Sequence, residues 1–123
     1  DLEVSHHYGI ENFSRYGITM ATVVNREYCK KLIVILPGQS HPEQLHKVKE
    51  ETFHVLHGNV WVNVDDQERQ ITRDDVVVIE QEMKHSFGSD TGTVIEEISS
   101  THSGEDSFTQ IRKSWKIRIA KRY

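Results

Sequence analysis

The chain has 123 residues, 36% of them hydrophobic and 28% charged, and a formal net charge of −4. That length suits one domain with a buried core, and no run of about 18 apolar residues is present to cross a membrane as a helix. Residues Arg112 to Arg122 carry six basic side chains and no acidic one, leaving nine basic against nineteen acidic residues elsewhere; so acidic a body argues against nucleic acid as the partner.

In chain order, Asp1–Tyr16 lacks a basic start followed by an apolar block, so it does not read as a signal peptide. The opening on Asp1 rather than Met reads as a piece trimmed from something longer. Glu3–Ser14 and Asn25–Lys31 carry the pattern of helical turns. Elsewhere the period is two. Cys29, the one cysteine, excludes an intramolecular disulfide and points to a reducing, cytoplasmic setting. Lys31–Leu36 (KLIVIL) is a short buried strand. Pro37 and Pro42 mark the next stretch as loop.

Glu51–His57 alternates, with Glu51, Phe53, Val55 and His57 on one face. Gly58-Asn59 is a turn signal, and Val60–Val64 resumes as a strand, so the two halves read as a hairpin. Asp65-Asp66 breaks that strand. Arg69–Thr72, Val76–Glu80, Thr93–Ser99 and Ser114–Ala120 complete the set, and Trp115, Ile117 and Ile119 alternate with Lys116 and Arg118. The expected architecture is one all-β sandwich or barrel. The N-terminal segment and the basic SWKIRIA strand offer sheet edges that need covering, and a partner subunit is one way to cover them. The basic end otherwise docks on an acidic surface.

The chemistry concentrates in residues 37–58, PGQSHPEQLHKVKEETFHVLHG. His46 offers an imidazole and Glu51 a carboxylate, both ligands for a borderline divalent cation. Alternation sets Gln44 on the same face as His46. His85, beyond VVVIE and a short loop, is positioned to add a third donor from a distant strand. His41 is a reserve ligand, whereas His54 points to the face opposite Glu51 and His57 sits at the turn.

These spacings resemble the cupin family. Gly38, five residues, Gln44-x-His46, four residues, Glu51, six residues and Gly58 follow its first motif, with Gln44 where a histidine is usual. The second motif survives as spacing, with Asp74, Glu80 and Glu82 at its Gly, Pro and Gly positions and His85 at the ligand position. The resemblance implies a double-stranded β-helix, or jelly-roll barrel, as a single domain over 1–123. Its core would span about 18–110, with an N-terminal arm 1–17 and a basic C-terminal strand or tail 111–123. The barrel would hold a divalent transition metal (Mn, Zn, Ni or Fe) on Gln44, His46, Glu51 and His85.

NREYCKKLIVILPGQ, HPEQLHKVKEETFHVLHG and VIEEISSTHSGEDSF resemble more narrowly the sugar-isomerase-type cupins. These are the D-lyxose isomerase-like proteins and the cupin module at the C-terminus of some sialic acid synthases. The resemblance implies a small-molecule sugar or sugar phosphate as partner and, with the Asp1 start, a place in a larger synthase chain; the homodimer is expected from the sheet edges above. An aldose–ketose isomerase moves a proton between adjacent carbons through a metal-stabilised enediolate. Glu97, on the face of Ile95 and Ser99, is the candidate base, with Glu96 the alternative if the faces are reversed. Lys49 would neutralise developing oxyanion charge or hold a phosphate or carboxylate. His102 and Asp106 fall in a polar loop that could cover the barrel. The other reading is a non-catalytic sugar-binding or oligomerisation module of a synthase.

Overall fold

The computed structural model describes residues 2–46, 49–100, 107–109 and 115–119; for His46 and the last two stretches it describes the backbone alone. Eleven strands lie in these residues: β1 Leu2–His6, β2 Gly17–Asn25, β3 Tyr28–Ile35, β4 Ser40–His46, β5 Glu51–Val64, β6 Gln67–Thr72, β7 Val76–Ile79, β8 His85–Gly88, β9 Thr93–Ser100, β10 Ser107–Thr109 and β11 Trp115–Ile119. All pair antiparallel. One side of the curled sheet runs β7-β5-β9-β3-β2-β1-β11 and the other β6-β5-β8-β4-β10. This is the expected all-β jelly-roll architecture.

β5 joins the two sides. Its first half pairs with β7 and β9, and its second half with β6 and β8. The crossing falls at Gly58, whose φ is +82°. A Cβ there would meet the carbonyl oxygen of Gly92, so both the backbone angle and the space demand glycine. Before this point Glu51, Phe53 and Val55 face inward; after it Val60 and Val62 do, so the alternation changes phase across a register shift. Gly58-Asn59 is therefore a corner in one 14-residue strand rather than a hairpin turn, and His57 leaves the inward face. The hairpin comes at Asp65-Asp66, both with positive φ, where Val64 pairs with Gln67.

The helical expectations give way in the same manner. Leu2–His6 is a strand registered on both β2 and β11, not a helix. Among the described residues, helix is confined to a 3₁₀ turn at Ile10–Asn12 and a single α turn, α1, at Phe13–Tyr16. Asn25–Lys31 spans the end of β2 and the start of β3. The edge of β1 is thus covered by β11 of the same chain. Pro42 lies inside β4, but in the register shift between His41 and Gln44, where no ladder N–H is needed.

Among the described residues, twelve buried apolar side chains, including Ile18, Ile33, Phe53, Val55, Val62, Phe87 and Ile95, form the core. Phe53 and Phe87 meet edge to face with centroids 5.0 Å apart.

Candidate functional site

The inward faces of β5, β9 and β3 change from apolar to charged over two residues. On β5 the order inward is Val55, Phe53, Glu51; on β9 it is Ile95, Glu97, Ser99; on β3 it is Ile33, Lys31, Cys29. Because register pairs Phe53 with Glu97 and Glu97 with Lys31, the change happens at one level of the barrel. The two glutamates of TVIEEIS fall on opposite faces of β9. Glu97 points inward, whereas Glu96 faces out and pairs with Lys30 at 3.1 Å.

Above the Phe53–Phe87 floor lies a connected charged group. Lys49 Nζ is 2.9 Å from Glu51 Oε1 and 3.4 Å from Glu97 Oε1, and His85 Nε2 is 3.1 Å from Glu51 Oε2. Lys49, Glu51, His85 and Glu97 are 3%, 2%, 1% and 5% exposed, so these contacts act with little solvent screening. Burial opposes the charge on Lys49, but Glu97 and Glu51 outweigh it and raise its pKa. Burial likewise opposes charge on His85, and the hydrogen bond and charge of Glu51, with the Met83 carbonyl, raise its pKa over that opposition. Glu97 is pushed up by burial and by Glu51, and held back by Lys49 and Lys31.

Lys31 is the residue the sequence reading missed. It sits in KLIVIL, which reads as a plain buried strand, and nothing in that run marks its first lysine as internal. Its register with Glu97 would have shown it, since a residue opposite an inward glutamate on the next strand also points inward. Burial lowers the Lys31 pKa, with Lys49 adding to the fall and Glu97 opposing it.

Of the four metal donors expected, Glu51 and His85 converge, and Gln44 is the register partner of His85 on β4. The side chain of His46 lies outside the described residues, as do His102 and Asp106. Among the described residues no three His, Cys, Asp or Glu side chains are arranged to hold a cation. The pair itself fits one. Two ligands about 2.0–2.2 Å from a cation stand roughly 2.9–3.4 Å apart across its coordination sphere, and 3.1 Å lies in that range. His85 also directs Nδ1 at the Met83 carbonyl oxygen, 3.1 Å away, which orients Nε2 towards Glu51 as a second-layer partner does in metal sites. His41 is buried beside them, stacked on Phe87 with its edge against His7, and its Nδ1 is 2.7 Å from the Pro42 carbonyl oxygen. Burial, then the neighbouring His7, depress its pKa to about 3, so it is neutral.

The four glycine positions of the two spaced motifs share one backbone property. Gly38 and Gly58 have φ of +86° and +82°; Asp74 and Glu82, at the glycine positions of the second motif, keep φ of +72° and +63°. The left-handed turns survive although the glycines do not. Barrel, turns and inward charged cluster define a cupin, and the chain belongs to the cupin domain family, whose model matches residues 31–106.

Within that family it is similar to sugar isomerases at low identity. A D-lyxose/D-mannose isomerase of Thermosediminibacter oceani is 30% identical over 77 residues, 57% of this chain but 42% of that enzyme, so the match spans about two fifths of its length. A D-lyxose ketol-isomerase of Cohnella laeviribosi is 28% identical over 132 aligned positions, 83% of this chain and 72% of that enzyme. Among solved structures, the L-ribose isomerase of Cellulomonas parahominis with L-psicose superposes with a TM-score of 0.68 at 14% identity, covering 76% of this chain and 69% of that one. KdgF from Halomonas sp. gives 0.66 at 13% identity, covering 72% and 82%. At such identities these likenesses show the fold.

Proposed function

We propose that the chain is a metal-dependent isomerase-type cupin that interconverts an aldose and a ketose, free or phosphorylated, as a homodimer. The observation that carries the reading is the buried relay Glu97–Lys49–Glu51–His85, a carboxylate joined by one ammonium to a carboxylate–imidazole pair. Gln44, His46, Glu51 and His85 would hold the cation. When bound, it would polarise the carbonyl and neighbouring hydroxyl oxygens of the sugar.

The remaining work falls to this chain's own residues. Glu97 takes the proton from the carbon beside the carbonyl and returns it to the adjacent carbon. Burial and Glu51 make its carboxylate more basic, while Lys49 and Lys31 oppose that rise. Lys49 holds the Glu51 and Glu97 carboxylates together and presents positive charge to the oxygen on which negative charge develops. Phe53 and Phe87 close the floor against water.

The test is carbon-bound deuterium. Protein loaded with manganese, zinc, nickel or iron is incubated in D₂O with pentoses, hexoses and their phosphates, and products are read by NMR. The reading expects deuterium at the carbon beside the carbonyl with at least one sugar, and its loss in Glu97→Gln with metal content unchanged. Sugar binding without exchange in any member of the panel would leave the other reading, a sugar-binding module of a sialic-acid-synthase-type chain.

A further inference from the structure

The outer face of β3, β9, β5 and β7 is apolar where a sheet bathed in water would be polar. Val34, Leu36, Val76, Val78 and Ile98 point out from it and are 37–53% exposed. Register sets Val78 and Ile98 on either side of Thr52 at one level and Val76 beside His54 at another, while Val34 lies beside Val94 further along the same face. Several exposed apolar side chains on one sheet face mark an interaction site.

A line of charged and polar groups crosses the same face. Lys30 Nζ lies 3.1 Å from Glu96 Oε2, His54 Nδ1 is 3.8 Å from Glu96 Oε1, and His54 Nε2 is 4.0 Å from Asp74 Oδ1. The line is directional. It begins with a cation on β3 and ends with an anion beside β7, and its terminal side chains stay reachable, at 39% exposure for Lys30 and 82% for Asp74.

We propose that this face receives a second copy of the chain, about a two-fold axis that sets Lys30 of one copy against the partner's Asp74. A two-fold axis lying in the interface plane, perpendicular to the line, turns the two faces towards each other and reverses the line, so each cationic end meets an anionic end twice over. The chain has a net charge of −4, and two such copies repel over most surfaces. Here the charges close on one another, and covering them strands no lone ion. The proposal rests on the homodimeric part of the reading above and adds the face.

The test uses the full chain in sedimentation velocity at concentrations up to about 100 μM. Wild type is expected to be a dimer. Val34→Lys should be a monomer with an unchanged circular-dichroism spectrum, and Ile98→Lys carries the same test if Val34→Lys misfolds. Lys30→Glu should weaken the dimer about tenfold or more, and Lys30→Glu combined with Asp74→Lys should recover most of that loss. A monomeric wild type would overturn both the dimer and this face. A dimer indifferent to Val34→Lys and Ile98→Lys, or a double variant no tighter than Lys30→Glu, would overturn this face and leave the dimer standing.

Discussion

His85 Nε2 faces Glu51 Oε2 across 3.1 Å, while His85 Nδ1 lies 3.1 Å from the Met83 carbonyl oxygen. Both ring nitrogens are therefore in donor positions, and the imidazolium is the form that this geometry favours without a cation. A metal ion bound there would take the place of the Nε2 proton, so the ion pair and the proposed metal site would be alternative occupants of one geometry.

This predicts a pH signature of the metal-free protein. The folded pKa of His85 lies above its ordinary value of about 6.5. The stability it contributes is whole below about pH 6.5 and is lost as pH rises through the folded pKa. The melting temperature of wild type minus that of His85→Gln, measured by calorimetry in chelator, should be largest in mild acid and shrink as pH rises. A difference that grows with pH would contradict the ion pair.

His41 predicts the opposite slope. Its folded pKa is about 3, below the ordinary value, so its contribution is present above about pH 6.5 and is lost as pH falls towards 3. Replacing it with Phe keeps an aromatic ring against Phe87 and removes the titration. The fall in melting temperature between pH 6.5 and 4 should be shallower in His41→Phe than in wild type. Equal slopes in the two proteins would show that His41 is not buried and neutral.

Much of this was legible in the sequence, for identifiable reasons. Period-two alternation is a local signal, and it gave the strands of Glu51–Val55 and Thr93–Ser99 and the inward side of Glu97 once a face was assigned. The spacing from Gly38 to Gly58 was legible because left-handed turns constrain residue type. The second motif was fainter because Asp74 and Glu82 hold those angles without glycine. What failed was long-range. Leu2–His6 is a strand because β2 and β11 flank it, which nothing within five residues announces. Gly58 looked like a turn because glycine with positive φ serves hairpins and corners alike, and only the pairing of β5 with both sides of the barrel separates them. Lys31 was missed because its role depends on a residue 66 positions away.

Lys31→Met tests that missed residue. It removes one of the two cations that oppose the rise in the Glu97 pKa. The acid limb of the pH profile for deuterium exchange should move to higher pH by about one unit, with little change on the plateau. A profile unmoved, or a plateau lost at every pH, would show that Lys31 does not act through the charge of Glu97.

Gly58→Ala tests the corner of β5. The new Cβ meets the Gly92 carbonyl oxygen, which is backbone and cannot swing aside, and the φ of +82° adds strain. The variant should lose about 2 kcal/mol or more in urea unfolding. Glu82→Gly, at a φ of +63°, should stay within about 1 kcal/mol of wild type or gain stability. Near-native stability of Gly58→Ala would mean that β5 does not turn there.

The most direct measurement of the central claim is the metal content of purified protein by elemental analysis, wild type beside His85→Gln and His46→Ala. The account predicts about one equivalent of transition metal in wild type, and loss in both variants while each remains folded by circular dichroism. A wild type that takes up no manganese, zinc, nickel or iron on loading, or variants that bind as wild type does, would contradict it. The Glu51–His85 pair would then be an ion pair and nothing more.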